Sequence, residues 1–159
     1  CPPRLDVVLD KHFGRILLNL ELRSIGCGRV VGELIANYAG KSQTNWDNVL
    51  VSSFKGGELF AARRVSKHVN VALLQGNNPF AFIGYHRFLQ FTAIGFHRLH
   101  TNKLALAIAQ KASIFTFAYT VDRPEAARRL IALGFDGIMT DYPHKMRSQL
   151  ASKSHKKSK

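Results

Sequence analysis

The sequence predicts an α/β fold around a mostly parallel sheet, on three observations. Short runs of β-branched and aromatic residues recur along its 159 residues. Stretches with helical apolar spacing lie between them. No linker rich in Pro, Gly or Ser divides the chain before a basic C-terminal tail. Strands that alternate with helices pair in parallel. At roughly 25–30 residues per strand–helix unit the chain holds five or six strands. Periodicity alone leaves an open sheet and a closed barrel equally possible.

The first strand is expected over Ile16–Leu22, followed by a helix carrying Val30, Val31, Leu34, Ile35 and Tyr38 on its apolar stripe. Val49–Phe54 is the second strand and Glu58–Lys67 the helix after it. Val71–Gln75 and Phe91–Phe96 are the third and fourth strands. Thr101 is placed to cap a helix with Leu104, Ala105, Ile108 and Ala112 on one face. Ile114–Val121 is the clearest strand, rich in Phe, Thr, Tyr and Ile. In the next helix Asp122 is the expected N-cap and Pro124 lies in the first turn. Glu125 follows three positions after that cap, and Gly134 supplies a left-handed stop. Gly137–Asp141 is the last strand, closed by Tyr142-Pro143.

Composition narrows the class. Hydrophobic residues make up 46% and charged residues 21%, as in an ordinary globular domain. No apolar run approaches the ~18 residues that a membrane-spanning helix needs. Two cysteines, Cys1 and Cys27, make neither a disulfide framework nor a zinc spacing, so a reduced, cytoplasmic protein is expected. The first residue is not Met, so any targeting signal is expected upstream. The net charge is +13, and six of the 23 basic residues lie in 144–159 with no acid among them; the remainder is +7. Residues 148–159 are expected to be a disordered basic tail with weak polyanion binding, and 1–147 the folded domain.

Chemistry concentrates at the end of the first strand. Side chains alternate, so Asn19, Glu21 and Arg23 share one face and Leu18, Leu20 and Leu22 the other. The leucines pack on helices, and the polar trio points inward near the C-terminal strand end, where β/α proteins build active sites. A carboxylate flanked by an amide and a guanidinium suits a hard divalent cation and a phosphate oxygen. The alternative is a buried structural ion pair between Glu21 and Arg23.

Four segments carry a family resemblance. Asn19-Leu20-Glu21-Leu22-Arg23 resembles the Asn-Ile-Glu-Ile-Lys strand of glycerophosphodiester phosphodiesterases. Leu50-Val51-Ser52-Ser53-Phe54 resembles that family's next strand, with its Ser-Ser-Phe end. Tyr119-Thr120-Val121-Asp122 is similar to its Tyr/Trp-Thr-Val-Asn segment. Gly134-Phe135-Asp136-Gly137-Ile138-Met139-Thr140-Asp141-Tyr142-Pro143 is similar to its closing strand. The resemblance runs over about residues 5–147. It implies the C-terminal portion of a (β/α)8 barrel, from the fourth to the eighth strand.

The resemblance further implies metal-dependent hydrolysis of a glycerophosphodiester to glycerol 3-phosphate and an alcohol, within lipid metabolism. Glu21 would be a ligand of a divalent metal, Mg or Ca. Arg23, standing where the family usually has Lys, would meet phosphate, and Tyr119, Ser53 and His97 would line the pocket. The family's early His-Arg-Gly, its Glu-x-Asp metal pair and its His-Asp occur nowhere in these 159 residues. The expectation is therefore an incomplete set that needs the N-terminal part of the barrel as partner and is inactive alone. His86-Arg87 and His97-Arg98 are expected at the surface or pocket rim rather than as substitutes.

The competing reading is a non-catalytic basic protein that binds nucleic acid or an acidic membrane surface on a barrel-derived scaffold. A third is a related phosphodiesterase acting on phospholipids directly. Two features lead elsewhere on first inspection. Gly26-x-Gly28 with Gly32 resembles a dinucleotide fingerprint, but its third glycine falls one position late, and a flexible loop is the expectation. Phe80–Phe91 interleaves aromatic and basic residues and is expected to be an apolar loop rather than a base-stacking surface.

Overall fold

The computed structural model describes residues 3–40 and 46–151. These form two units, Cys1–Leu74 with Ala81–Ala93, and Gln75–Phe80 with Ile94–Lys159. Cys1 and residues 152–159 of the expected tail lie outside the described residues.

In the first unit the elements alternate as α1 (Leu5–His12), β1 (Leu18–Glu21), α2 (Cys27–Ala39), β2 (Val49–Ser53), α3 (Gly56–Val65), β3 (Asn70–Gln75, its last residue in the second unit) and α4 (Ala81–Leu89). β1, β2 and β3 are parallel neighbours in chain order, with Leu18 opposite Val49, Glu21 opposite Ser52, and Ser52 opposite Ala72. A parallel strand covered on both faces needs apolar residues throughout. β3 shows this, since Val71, Ala72, Leu73 and Leu74 are all buried. β1 alternates instead: Leu18 and Leu22 are buried, whereas Asn19, Glu21 and Arg23 are not.

The glycines after β1 have a packing role. A Cβ on Gly28 would lie 2.2 Å from the Glu58 carbonyl oxygen, and one on Gly32 would lie 3.0 Å from that of Ala62. The i, i+4 glycines therefore let α2 and α3 approach through backbone atoms. Both lie inside α2 rather than in a flexible loop, which corrects that expectation.

The second unit holds most of β4 (Ala93–His97), then α5 (Lys103–Lys111), β5 (Phe115–Tyr119), α6 (Pro124–Ala132), β6 (Gly137–Ile138) and α7 (Pro143–Ala151). β4, β5 and β6 are neighbours in chain order, and β5 runs parallel to β6 with Phe117 opposite Gly137. The expected last strand is only two residues long. Pairing nevertheless continues past it, with Met139 N–H donating to Ala118 O at 2.8 Å and Val121 N–H to Met139 O at 2.8 Å. α6 closes as expected on Gly134 at φ +100°, with Phe135 N–H reaching back to Leu130 O at 3.2 Å. Phe135 and Leu130 are both buried, which completes the apolar contact of that cap.

Four further local expectations are corrected. Phe80–Phe91 is not a loop: its centre is α4, which buries Phe82 and Leu89. Asn102, not Thr101, caps α5, its side-chain oxygen accepting from Leu104 N–H at 2.9 Å and Ala105 N–H at 3.2 Å. Asp122 does not cap α6; its Oδ1 accepts from Thr140 Oγ1–H and Asp141 N–H, both at 3.0 Å. It thereby takes over where the β5–β6 pairing stops. Ser148–Ala151, assigned to the tail, belong to α7.

Candidate functional site

At the end of β1 the period-2 alternation puts Glu21 and Arg23 on one side, and they meet there. Arg23 Nε donates to Glu21 Oε1 at 2.9 Å. Their side chains are 34% and 83% exposed for Glu21 and Arg23, so the pair is not the buried structural ion pair. The carboxylate raises the pKa of Arg23, chiefly through this hydrogen bond. Lys55 joins them from the end of β2, its ammonium donating to Arg23 O at 2.8 Å. Sequence reasoning passed over Lys55, although it directly follows the Ser-Ser-Phe segment.

The two serines of β2 divide their roles by face. Ser53 Oγ–H donates to Leu22 O at 2.7 Å and its oxygen accepts Lys55 N–H at 3.0 Å. One lone pair of the hydroxyl is left, so Ser53 could meet a substrate only as an acceptor while keeping both bonds. Ser52 lies opposite Glu21 in the register, so the two share a face. Its hydroxyl is fully buried and has no hydrogen-bond partner among the described residues. A buried hydroxyl without a partner is costly, which marks Ser52 as a residue the motif alone did not single out.

A cavity of about 430 Å³ follows β1, lined by Asn19 through Ser24 with Leu5, Cys27 and Val31. Consecutive residues from both faces of a strand can line one groove only along its edge. Among the described residues β1 is paired on one side only, to β2. The groove is that edge, with Glu21 and Arg23 on its rim.

The glycine-rich start of α2 has no vacancy for a phosphate. Glu58, from the first turn of α3, accepts Gly26 N–H at 2.8 Å on Oε1 and Gly28 N–H at 2.7 Å on Oε2. These two bonds hold the Glu58 carboxyl below the usual carboxylate range. A carboxylate of the chain itself occupies the place an anion would take.

In the second unit His97 ends β4 and Tyr119 ends β5. Their rings meet edge to face at 5.9 Å and 77°, and His100 stacks against His97 at 5.1 Å. Tyr119 O–H donates to Gln75 O at 2.6 Å. His86, by contrast, lies in α4 against Phe91, at 6.0 Å between ring centres. Glu21 and Arg23 thus lie together at a strand end of the first unit with Ser53 on the opposite face, and His97 and Tyr119 lie at strand ends of the second.

Among the described residues no three His, Cys, Asp or Glu side chains cluster as a metal site. Glu21 offers one carboxylate where a hard divalent cation gathers six or more oxygens. The described residues therefore fit one ligand of such a site and not the whole.

Comparison with known proteins agrees with this architecture. The chain matches the glycerophosphoryl diester phosphodiesterase family over residues 27–145. That stretch contains Ser53, His97 and Tyr119 but begins after Glu21 and Arg23. It is 26% identical over 149 residues to Bacillus subtilis YhdW, provisionally named a glycerophosphodiester phosphodiesterase, covering 89% of this chain and 59% of that protein. It is 28% identical over 143 residues to the glycerophosphodiester phosphodiesterase of Caldanaerobacter subterraneus, covering 87% and 56%. The Oleispira antarctica phosphodiesterase, solved with its product sn-glycerol-3-phosphate, superposes with a TM-score of 0.72 at 21% identity, over 87% of this chain and 56% of that one. The chain thus spans little more than half the length of the proteins it matches. Its fold is the C-terminal portion of a phosphodiesterase-like (β/α)8 barrel, and no described helix is long and apolar enough to cross a membrane. With three-quarters of its length inside one family match and parallel strand–helix units that superpose on that family's barrels, the chain belongs to the glycerophosphoryl diester phosphodiesterase family.

Proposed function

We propose that this chain forms part of a metal-dependent hydrolase of glycerophosphodiesters, releasing glycerol 3-phosphate and an alcohol in the cytoplasm as part of lipid metabolism. The observation that carries the reading is the Glu21–Arg23 pair, 2.9 Å apart at an exposed strand end beside the groove along β1. An exposed pair can be opened by a ligand at little cost, because surface ion pairs contribute little. Glu21 would turn to a divalent cation, Mg or Ca, while Arg23 and Lys55 meet phosphate oxygens. Arg23 brings a planar fork of donors suited to phosphate, and Lys55 a compact charge. Ser52 would supply a hydroxyl on the face of Glu21, and in the second unit His97 and Tyr119 are the residues that the family resemblance assigns to substrate contact.

By the family resemblance the proton donor and acceptor belong to the His-Arg-Gly and His-Asp motifs, which these 159 residues do not contain. Phosphodiester hydrolysis needs both, along with several metal-ligand oxygens. The 159 residues alone are therefore expected to be inactive, the N-terminal part of the barrel supplying the rest. A coupled glycerol 3-phosphate assay tests this on the 159-residue chain and on a barrel completed with the missing strands. Turnover of glycerophosphocholine is expected from the completed barrel only, with Glu21→Ala lowering it by about 100-fold or more. Turnover by the isolated chain would refute the reading, and so would a completed barrel indifferent to Glu21→Ala.

A further inference from the structure

Three cationic side chains of the second unit border a groove that the proposed chemistry does not use. Arg98 follows β4, Arg123 immediately precedes α6, and Arg129 lies within that helix. All three are exposed and border a groove of about 430 Å³ that also contains Leu99 and Glu125. Glu125, the acid of the groove, is engaged by Arg128 at 2.7 Å. Arg98, Arg123 and Arg129 make no ion pair among the described residues.

The position of Leu99 is fixed by the backbone. Arg98 N–H donates to Tyr119 O at 2.9 Å, and His100 N–H closes a turn on His97 O at 2.9 Å. Leu99 therefore stands in a tethered turn with 68% of its surface in water. An exposed leucine is ordinary by itself. Beside three guanidiniums that make no ion pair among the described residues it forms an apolar tip with a cationic collar.

We propose that this groove docks the chain on an anionic lipid bilayer, with Leu99 entering the headgroup–acyl boundary while Arg98, Arg123 and Arg129 meet lipid phosphates. The charge and the apolar tip together favour this occupant. A pocket for a small soluble phosphate would converge its donors in a sheltered site, but these arginines are exposed. A nucleic-acid groove would offer aromatic rings for bases, and none lines this one. Cationic side chains around a protruding apolar residue match the layered chemistry of a bilayer surface.

Vesicle flotation of the 159-residue chain tests the proposal, since aggregates sink while vesicles rise. The chain is expected to float with vesicles of phosphatidylcholine containing about 30% phosphatidylserine and not with phosphatidylcholine alone. The triple variant R98A/R123A/R129A should lower the partition coefficient roughly 100-fold, at about fivefold per cation. Leu99→Ser should lower it about tenfold. Both losses should persist in a chain lacking residues 152–159, which separates the groove from the basic tail. Leu99→Trp adds an independent reading, because its emission should shift to the blue on anionic vesicles. Binding that survives the triple variant, or an unshifted Leu99→Trp emission on bound protein, would overturn the proposal. Displacement from vesicles by millimolar inorganic phosphate would overturn it too, in favour of a small-anion pocket. Release by RNA without any effect of Leu99→Ser would overturn it in favour of a nucleic-acid surface.

Discussion

The two units place their charges differently around their strand ends. In the first, charged groups are engaged with one another and with the backbone: Glu21 meets Arg23, Lys55 holds the Arg23 carbonyl, and Glu58 takes two amides at the start of α2. In the second, the Tyr119 hydroxyl bonds a backbone carbonyl, the ring of His97 packs on Tyr119, the Asp122 carboxylate takes over past β5, and the arginines face water. Ionic contacts respond to pH and salt, whereas a tyrosine–carbonyl bond does not respond to pH in the neutral range. The same kind of position, the end of a parallel strand, is therefore pliant in one unit and set in advance in the other.

The contrast can be broken most severely at Gly28. Gly28→Ala would place a methyl 2.2 Å from the Glu58 carbonyl oxygen, forcing α2 and α3 apart. A loss of about 3 kcal/mol is expected in urea unfolding, at the upper end of overpacking costs. A smaller change would mean that the helices slide apart freely.

Glu58→Gln tests whether charge organises the first unit. A neutral amide has one acceptor oxygen for two N–H groups, and its own NH2 group would face the second. Because folding lowers the Glu58 pKa, its contribution is present above the unfolded-state value and is lost as pH falls through the lower folded value. The variant should therefore melt below the wild type at pH 7, and the gap should close as pH drops below about 4. A gap independent of pH would show that shape rather than charge matters there.

Tyr119→Phe provides the matching test in the second unit. It removes one neutral hydrogen bond and should cost about 1 kcal/mol in urea unfolding, unchanged between pH 4 and 8 by the same reasoning, at about the mean for such bonds. A marked pH dependence would erase the contrast between the units. The smallest effect is expected from Arg23→Lys, which keeps the charge and restores the residue usual in the family. Stability should change by no more than about 0.5 kcal/mol, as for other surface substitutions. A larger loss would show that the guanidinium geometry holds the strand end together.

The elements legible in the sequence were those with a clean period or a firm stop. The alternation of β1 and the Gly134 stop of α6 both appear as expected. α4 was not legible, because Phe80, Phe82, Phe88 and Phe91 read equally well as an apolar loop, with Phe88 left 75% exposed. The caps went astray for a related reason. Asp122 and Thr101 are suitable capping residues, yet tertiary pairing claims Asp122 and the neighbouring Asn102 serves α5. In the candidate site the alternation identified Glu21 and Arg23, but the Ser-Ser pair was ambiguous. Period two puts Ser52 and Ser53 on opposite faces without saying which face is which, and only the pairing of β1 with β2 resolves it.

The groove along β1 has a consequence for how this chain behaves in company. A strand paired on one side is a template for any extended segment that reaches it. Copies of the chain can meet there, and so can a complementary half-barrel made as a separate molecule. Both encounters are bimolecular, so the outcome is a kinetic competition set by the two concentrations. Dilute chain with excess partner favours pairing with that partner, while concentrated chain alone favours self-association. The rim of that edge carries Glu21 and Arg23, so pairing there would be reported directly by a loss of exposure at both side chains.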